Sequence, residues 1–382
     1  MTHHRIAAAL LATILTVGIA GCGKDDSPAT TGSPGAVGPA TNLTATISVG
    51  AGPRGIAVDP DTHDVYVTNF DGGTVSVIDS DTRAVATTIP VGVKPWYMVV
   101  DAALHLIYVL NVGDGTVSVI DTTRQAVKAT IAVGESAGSI AIDPTTHIVY
   151  VANGRGGSVS VIAPGADKVS ATVPIGRYPN SMYLNPVTHT LFVTYTVDDS
   201  MDGISAIDGT TRRVATISVD GPNGLGVFAG DPARDALFVT DPAKGTVSMI
   251  NTATGTTTAV IALRGAGFRL IGIAVDPSTH LLYAATSDHG VSVIDPDTRT
   301  VAATIPVNGD SFHVAVDSAA HTLYSASYSG GGLAVIDTID RTVITTVPVG
   351  PAQEGLEIDP ATHIVYVANS DAGTVSMIEP AR

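Results

Sequence analysis

The sequence predicts an all-β protein, an eight-bladed β-propeller with four-stranded antiparallel blades. One phrase, G-I-A-V-D-P-x-T-H-x-V-Y-V-x-N followed by G-T-V-S-V-I-D, returns about every 42 residues from Leu43 onward. Each copy consists of short β-branched or aromatic runs between turn residues, which is typical of strands. Gly (40) and Pro (22) are abundant, as many tight turns require. Repeats of this length made of short strands indicate a closed ring of small sheets.

The residue that ends the first strand of each unit occurs once per copy, so the number of copies can be counted from it. It is aspartate seven times and asparagine once: Asp59, Asp101, Asp143, Asn185, Asp231, Asp276, Asp317 and Asp359. The spacings are 42, 42, 42, 46, 45, 41 and 42 residues. We therefore predict one propeller domain over residues 43–382.

The elements of the first unit follow from their residues in order. The first strand, which ends at Asp59, is apolar because blades pack face to face. The D-P-x-T-H segment after it is a tight turn, in which Asp accepts backbone N–H bonds and Pro fixes φ. Val65–Asn69, Val75–Asp79 and Ala86–Val91 are predicted as the second, third and fourth strands.

The last unit lacks its fourth strand, because the chain ends at Arg382 shortly after the third. A segment of matching character stands at the other end, at Thr44–Val49 (TATISV). We predict that this N-terminal strand pairs into the last blade beside Val375–Glu379 and closes the ring. Closure would remove the two unpaired edges of an open array.

The N-terminal segment predicts export. Arg5 precedes an apolar run of about 15 residues over 6–20, which is short for a membrane span. The run ends at Ile19-Ala20-Gly21-Cys22, which resembles the bacterial lipobox, where the peptide is cut before the cysteine and the thiol receives a diacylglycerol. We predict a signal peptide over 1–21, and a lipidated Cys22 with a flexible tether over 22–42. The alternative is an ordinary secretory signal followed by a chance cysteine.

This reading makes the protein an exported bacterial lipoprotein, anchored on the outer side of the cytoplasmic membrane or in the cell envelope. Its net charge of −16, from 19 Lys and Arg against 35 Asp and Glu, argues against a nucleic-acid partner. Cys22 is the only cysteine, which excludes intrachain disulfides, C-x-x-C-H haem attachment and cysteine-rich zinc sites. We predict no cofactor.

The second strands carry a family resemblance. Tyr66-Val67-Thr68-Asn69, with Tyr150-Val151-Ala152-Asn153 and Tyr366-Val367-Ala368-Asn369, resembles the YVTN-family β-propeller repeat, and the resemblance covers about 340 residues. That family includes surface-layer-type and exported propeller proteins, and many of its members have seven blades where eight copies are counted here. The resemblance implies the fold but says little about function, since the repeat is mostly scaffold.

Histidines recur in the turn after the first strand, where Asp235 takes the place of the eighth. They are His63, His105, His147, His189, His280, His321 and His363. Symmetry-related turns of different blades lie far apart, so we expect no metal ring. We expect each imidazole to be hydrogen-bonded within its own turn.

Ligands of propellers usually meet the top face, formed by the loops that lead into the innermost strands and those that join the second and third strands. The units differ most there, which is where specificity resides. The candidate ligand-binding residues are Arg54, Lys94, Trp96, Tyr97, Arg177, Tyr178, Arg269, Phe312, His313, Glu354 and Glu357; the loops also carry Phe70 and Tyr328. An aromatic residue beside Arg and Lys suits sugar, peptide or carboxylate binding, and loop packing is the alternative.

One innermost-strand position is mostly small and apolar. Its residues are Ala57, Val99, Ala141, Tyr183, Ala229, Ala274, Ala315 and Glu357. A carboxylate there is costly unless it is paired, and Arg54 of the neighbouring blade is the candidate partner. A ligand contact or a catalytic acid or base are the other readings.

An insertion in the fourth unit, Asp198 to Gly203, partly matches the start of a calcium loop. No glutamate follows at the twelfth place, where Gly209 stands, so Asp198 and Asp202 are weak metal candidates and a solvated acidic loop is expected. We therefore predict no metal site.

These observations favour a lipid-anchored binding or scaffold module, not an enzyme, whose top face takes a protein, peptide or glycan. The sequence has no G-x-S-x-G elbow, phosphate loop or H-E-x-x-H motif. The alternative is a hydrolase or lyase similar to the propeller lactonases, with Arg54, His313, Glu354 and Glu357 at the mouth of the channel. A further resemblance, to the eight-bladed domain of dihaem nitrite reductases, implies a modified haem with His313 as axial ligand.

Overall fold

The computed structural model describes residues 38–198, 201–217, 219, 226–263, 270–286 and 290–380. Within these residues the strands form eight four-stranded antiparallel sheets, which confirms the predicted fold. Two short 3-10 helices, η1 (Ala102–Leu104) and η2 (Pro232–Arg234), lie in turns after first strands. In the described part of the chain no helix has the length and apolarity needed to span a bilayer. The predicted signal peptide, Cys22 and most of the tether lie outside the described residues.

Each blade contains four consecutive strands, except that the last blade takes its outer strand, β1 (Ala40–Ser48), from the N-terminus. Blades 1 to 4 are β2 (Pro53–Val58), β3 (Val65–Asn69), β4 (Thr74–Asp79), β5 (Ala84–Pro90); β6 (Pro95–Asp101), β7 (Leu106–Asn111), β8 (Thr116–Asp121), β9 (Ala126–Ala132); β10 (Ala137–Ile142), β11 (Val149–Asn153), β12 (Ser158–Ile162), β13 (Ala171–Pro174); β14 (Met182–Asn185), β15 (Thr190–Asp198), β16 (Met201–Asp208), β17 (Val214–Ile217). Blades 5 to 8 are β18 (Phe228–Asp231), β19 (Ala236–Asp241), β20 (Thr246–Asn251), β21 (Thr256–Ala262); β22 (Leu270–Val275), β23 (Leu282–Thr286), β24 (Gly290–Asp295), β25 (Thr300–Ile305); β26 (His313–Asp317), β27 (Thr322–Ala326), β28 (Leu333–Asp337), β29 (Thr342–Val347); β30 (Gln353–Ile358), β31 (Val365–Asn369), β32 (Thr374–Pro380).

The predicted closure of the ring is confirmed. Strand β1 pairs antiparallel with β32, with Thr46 opposite Ser376 and Ile47 opposite Val375. The strand begins at Ala40, earlier than the predicted Thr44, so residues 40–42 belong to the sheet and not to the tether. The backbone N–H of Ala40 also donates a hydrogen bond of 2.8 Å to the Tyr324 hydroxyl of blade 7. The N-terminus thus joins two blades.

The hydrophobic core lies between adjacent blades. In one such layer Ala57 and Tyr66 of blade 1 pack against Met98 and Val109 of blade 2. The innermost strands contact one another in sequence around the ring, and β2 of blade 1 contacts β30 of blade 8. Apolar residues on both faces of the inner strands are therefore needed, because each face meets a neighbouring blade.

The asparagine of the repeat phrase has a structural role at the top of each blade that carries it. The Asn69 amide oxygen accepts the Gly50 N–H at 3.0 Å, and its nitrogen donates to Thr74 and Ser76 hydroxyls, each at 2.9 Å. A Cβ at Gly50 would lie 2.5 Å from Asn69 Cγ, so glycine is required there. Asn111, Asn153 and Asn369 donate to the matching hydroxyls of their own blades. This side-chain bonding explains why the phrase pairs asparagine with T-V-S.

The histidine turns connect blades, so the prediction of bonding within one turn is wrong. Nδ1 of His147 lies 2.9 Å from a carboxylate oxygen of Asp101, the residue that ends the first strand of the preceding blade. The same contact joins His189 to Asp143, His280 to Asp231, His363 to Asp317, and His63 to Asp359 across the closure. The described residues contain no group of three metal-ligating side chains, and these histidines are structural links.

The interface between blades 4 and 5 lacks both members of this contact. Asn185 replaces the aspartate of blade 4, and Asp235 replaces the histidine of blade 5. The two substitutions remove the pair together. An aspartate opposite Asp235 would have set two carboxylates against each other. Between blades 6 and 7 the Ser318 hydroxyl takes over, donating to Asp276 at 2.6 Å.

Candidate functional site

Irregular strand register at the top of blades 1, 2 and 8 positions several of the predicted binding residues. The register of β2 shifts between Pro53 and Ile56, that of β6 between Pro95 and Met98, and that of β30 between Gln353 and Gly355. The residues within these irregularities are Arg54, Gly55, Trp96, Tyr97 and Glu354. A bulge leaves residues out of the ladder and redirects their side chains. The same local feature therefore presents side chains from three blades.

Arg54 lies between two aromatic rings. Its guanidinium carbon is 3.9 Å from the centroid of the Phe70 ring and 4.3 Å from that of Trp96. The two rings meet edge to face at 5.3 Å, and Trp96 stacks on Tyr97 at 5.4 Å. Lys94, which is exposed, places its Nζ 5.6 Å from the Phe70 centroid. Cation–π contacts of this kind hold an arginine while leaving part of its fork open to a ligand.

A partly buried acid and a buried histidine extend this group toward blade 7. Glu354 Oε1 lies 3.9 Å from Arg54 Nη2. Burial raises the pKa of Glu354, and the nearby Arg54 charge partly offsets that rise. His313 of blade 7 hydrogen-bonds the backbone of Glu354, and burial lowers the pKa of His313 to about 4. The imidazole is therefore neutral at physiological pH.

Blade 7 adds a second pair of aromatic rings. Phe312 meets the His313 ring edge-on at 4.6 Å and the Tyr328 ring at 5.5 Å. Tyr328 is 48 % exposed, so this end of the group faces solvent. The contacts form an unbroken chain across blades 7, 8, 1 and 2. We name this chain the aromatic arc: Tyr328, Phe312, His313, Glu354, Arg54, Phe70, Trp96 and Tyr97.

Close approach of neighbouring backbones brings the side chains of the arc together. A Cβ on Gly355 would lie 2.0 Å from the Arg54 carbonyl oxygen, and one on Gly55 would lie 2.2 Å from the Trp96 carbonyl oxygen. The buried Thr68 hydroxyl accepts the Gly55 N–H at 2.8 Å and donates to the Trp96 carbonyl oxygen at 2.9 Å. Glycine at both interfaces and one threonine therefore fix the spacing of blades 8, 1 and 2.

Two predicted residues lie apart from the arc. Arg177 and Tyr178 belong to blade 4, on the other side of the ring, where both are exposed. The Arg177 guanidinium lies 5.7 Å from the Tyr178 ring centroid. Arg269 lies outside the described residues. Of the predicted top-face residues, the arc thus contains Arg54, Trp96, Tyr97, Phe312, His313 and Glu354, and Lys94 lies beside it.

Glu357 is not paired with Arg54, contrary to the prediction. Arg54 contacts Glu354 instead, and Glu357 has no hydrogen-bond or ion-pair partner among the described residues. It lines two cavities of the central channel, with volumes of about 290 and 430 Å³. Burial, reinforced by the charge of Asp359, raises the pKa of Glu357 to about 8. The structure therefore places Glu357 in the channel and away from Arg54, and Tyr97 is the member of the arc that lines the smaller cavity with it.

Tyr183 of blade 4 is the other residue that breaks the small-residue pattern in the channel. Its ring occupies space that is free only because blade 5 carries Gly230, where a Cβ would lie 1.9 Å from Tyr183 Cζ. Both Tyr183 and Glu357 line the larger cavity. Burial raises the Tyr183 pKa further above its usual value. A large residue at 183 together with a glycine at 230 in the next blade is the sequence signal for a tyrosine ring in the channel. This signal was not used in the sequence analysis.

The acidic insertion of blade 4 extends a hairpin. The backbone of Asp198 pairs with Met201 and that of Thr196 with Asp202, lengthening β15 and β16. Residues 199–200 lie outside the description, as do the side chains of Asp198 and Asp202. Their weak candidacy as metal ligands therefore stays a prediction.

Comparison with known proteins supports the fold and does not identify a function. No protein-family model matches the chain, and no curated protein sequence is similar to it. Among solved structures, the chain is similar to hydrazine synthase of Kuenenia stuttgartiensis, with a TM-score of 0.59 and 19 % sequence identity. The match covers 86 % of this chain and 96 % of that chain. At this identity the likeness shows the propeller fold alone.

Proposed function

We propose that the protein is a lipid-anchored, extracytoplasmic recognition module related to the YVTN-repeat propellers. Its aromatic arc binds a protein, peptide or glycan. The observation that carries the proposal is the unbroken contact chain from Tyr328 to Tyr97 at the top of four blades. A closed ring of eight blades supports this surface, and the arc consists of positions at which the blades differ in sequence.

The chemistry of the arc suits a ligand with flat apolar faces and hydrogen-bonding groups. Tyr328, which is 48 % exposed, offers ring surface for sugar faces or for peptide side chains, and Trp96 adds the part of its indole that Arg54 and Tyr97 leave exposed. Arg54 is held by two rings and one carboxylate, so its orientation costs little entropy when a ligand carboxylate or hydroxyl binds. Lys94 adds an exposed positive charge beside the arc.

The hydrolase or lyase reading has less support. Its four candidate residues do not converge, because Glu357 lines the channel while Arg54 and Glu354 pair with each other. His313 is only 7 % exposed and bonds the Glu354 backbone, which also disfavours it as an axial haem ligand. A general base needs an open path to its substrate, and this imidazole lacks one.

Replacing Trp96 with alanine is expected to weaken ligand binding by about 10-fold or more, because central aromatic anchors dominate recognition energies. The measurement is the binding of fluorescently labelled protein to arrays of envelope oligosaccharides and peptides. Tyr178→Ala is the matched control, since Tyr178 is also an exposed top-face aromatic but lies on blade 4. No binding to either array by the parent, or equal loss in both variants, would rule out the arc as the recognition site.

The anchor has a separate test. Cys22→Ser is expected to move the protein from the membrane fraction to the soluble extracytoplasmic fraction, because the thiol that receives the lipid is gone. Intact mass of the purified parent should correspond to a chain that begins at Cys22 with added acyl chains. An unmodified parent, or an unchanged distribution of the variant, would contradict lipidation.

A further inference from the structure

The larger channel cavity is an aliphatic chamber with few polar side chains. Its volume is about 430 Å³, and its walls include Ala141, Met182, Leu184, Ala274, Ala315 and Leu356. Prolines of the turns after the first strands line its lower end, among them Pro144 and Pro232. A chamber of this size and lining is typical of a site for a small organic molecule.

Glu357 provides the chamber with one unpaired acid. Its side chain is partly exposed, so a ligand can reach it. No lysine or arginine is among the residues that line either cavity. The other carboxylates at these walls, Asp101 and Asp317, each already contact a histidine, His147 and His363 respectively. A cationic partner for Glu357 is therefore missing from the residues around it.

We propose that this channel binds an apolar amine, with the ammonium group at the Glu357 carboxylate and the hydrocarbon body against the aliphatic walls. Such a ligand supplies the opposite charge that a carboxylate enclosed largely by apolar walls needs. The Tyr183 hydroxyl, on the opposite side of the ring and in the same chamber, offers a second polar contact. The net charge of −16 raises the local concentration of cations near the protein.

The proposal makes binding depend on pH. Burial raises the pKa of Glu357 to about 8, so at pH 6 the carboxyl must lose a proton when an ammonium binds. Affinity therefore rises from pH 6 to pH 8, where about half of the Glu357 side chains are ionised and the amine is still protonated. The other titratable side chains facing the two cavities are Tyr97, Tyr183, Asp101, Asp317, His147 and His363.

The test compares 2-phenylethylamine with 2-phenylethanol, which has the same shape but no charge, by titration calorimetry on the complete propeller. The amine is expected to bind about 10-fold tighter than the alcohol at pH 8, as a charge-assisted contact adds roughly 1.4 kcal/mol. Glu357→Gln is expected to abolish that difference, because the neutral amide offers no charge to the ammonium group. Trp96→Ala should leave amine binding intact, which separates this site from the arc.

Three results would overturn the proposal. They are no binding of either compound, equal affinities in the parent, or an amine affinity unchanged by Glu357→Gln. The pH series uses the parent protein alone, so it tests the Glu357 contact even if the variant folds poorly. An amine affinity that does not rise between pH 6 and pH 8 would count against the Glu357 contact.

Discussion

A protein that starts at residue 50, and so lacks strand β1, is expected to melt about 10 °C below one that starts at residue 38, for a loss on the order of 5 kcal/mol. The strand contributes buried Ile47 and Ala40 and pairs along β32 from Pro380 to Thr374. Its removal leaves the unpaired edge of β32 facing solvent, which favours association between molecules. Differential scanning calorimetry and sedimentation velocity measure the two effects.

Adding strand β1 back as a separate peptide tests whether the loss of stability comes from the vacant position beside β32. A synthetic peptide of residues 38–50 should raise the melting temperature of the shortened protein toward that of the longer one and return it to a monomer. A scrambled peptide of the same composition should do neither. If the two proteins melt alike, β1 does not close the ring.

Glu357→Gln is expected to stabilise the protein at alkaline pH, on the order of 2 kcal/mol at pH 9, and to change little at pH 4. The pKa of Glu357 is raised from 4.5 to about 8 by burial. Between these values the unfolded chain carries an ionised glutamate while the folded protein keeps the proton. Stability therefore falls as pH rises through this window, and glutamine removes the loss. Because the Glu357 side chain is partly exposed, solvent screens part of its charge and reduces the effect to about half of the full conversion.

Urea unfolding at pH 4, 6, 7.5 and 9 measures this dependence on the parent and the variant. Glu135→Gln is the control, because it removes a carboxylate from an exposed loop of blade 3 and not from the channel. Equal pH profiles for the parent and Glu357→Gln would show that Glu357 is as well solvated in the native state as in the unfolded chain.

Most of the fold could be predicted because the repeat length and the strand pattern within each copy are visible in the sequence. The eight residues that end the first strands gave the number of blades. The strand-like segment Thr44–Val49, which precedes the first unit, predicted the closure of the ring. The start of β1 could not be read, since Ala40 is held by the Tyr324 hydroxyl of another blade. A tertiary contact of that kind leaves no mark in local composition.

Several residues of the candidate site could be predicted from the sequence, but the contacts between them could not. The loop positions that depart from the repeat include Arg54, Trp96 and Glu354, which the structure places in contact; their role in ligand binding stays a prediction. The partner of Arg54 was misassigned to Glu357, because a register irregularity between Gln353 and Gly355 decides which side chain faces the arc. Bulges of this type change side-chain direction without a clear sequence signature.

The histidine turns show the same limit at the level of the whole ring. Spacing alone placed each histidine beside its own aspartate, whereas the contact is made to the preceding blade, as between His147 and Asp101. The joint absence of Asp at 185 and His at 235 was a visible hint of a pair shared between units. Pairing across blades depends on how the repeats are rotated against each other, which the period does not give.

Disulfide formation between Thr46→Cys and Ser376→Cys, in a protein that carries Cys22→Ser, tests the closed ring most directly. These positions are direct partners in the β1–β32 register, a geometry in which a bridge can form. The control pairs Thr46→Cys with Ser160→Cys, which is equally buried but lies in the third strand of blade 3. Rapid, complete crosslinking of the first pair and none of the second is the predicted result. Failure of the first pair, or equal crosslinking of both, would contradict a ring closed by the joined ends of the chain.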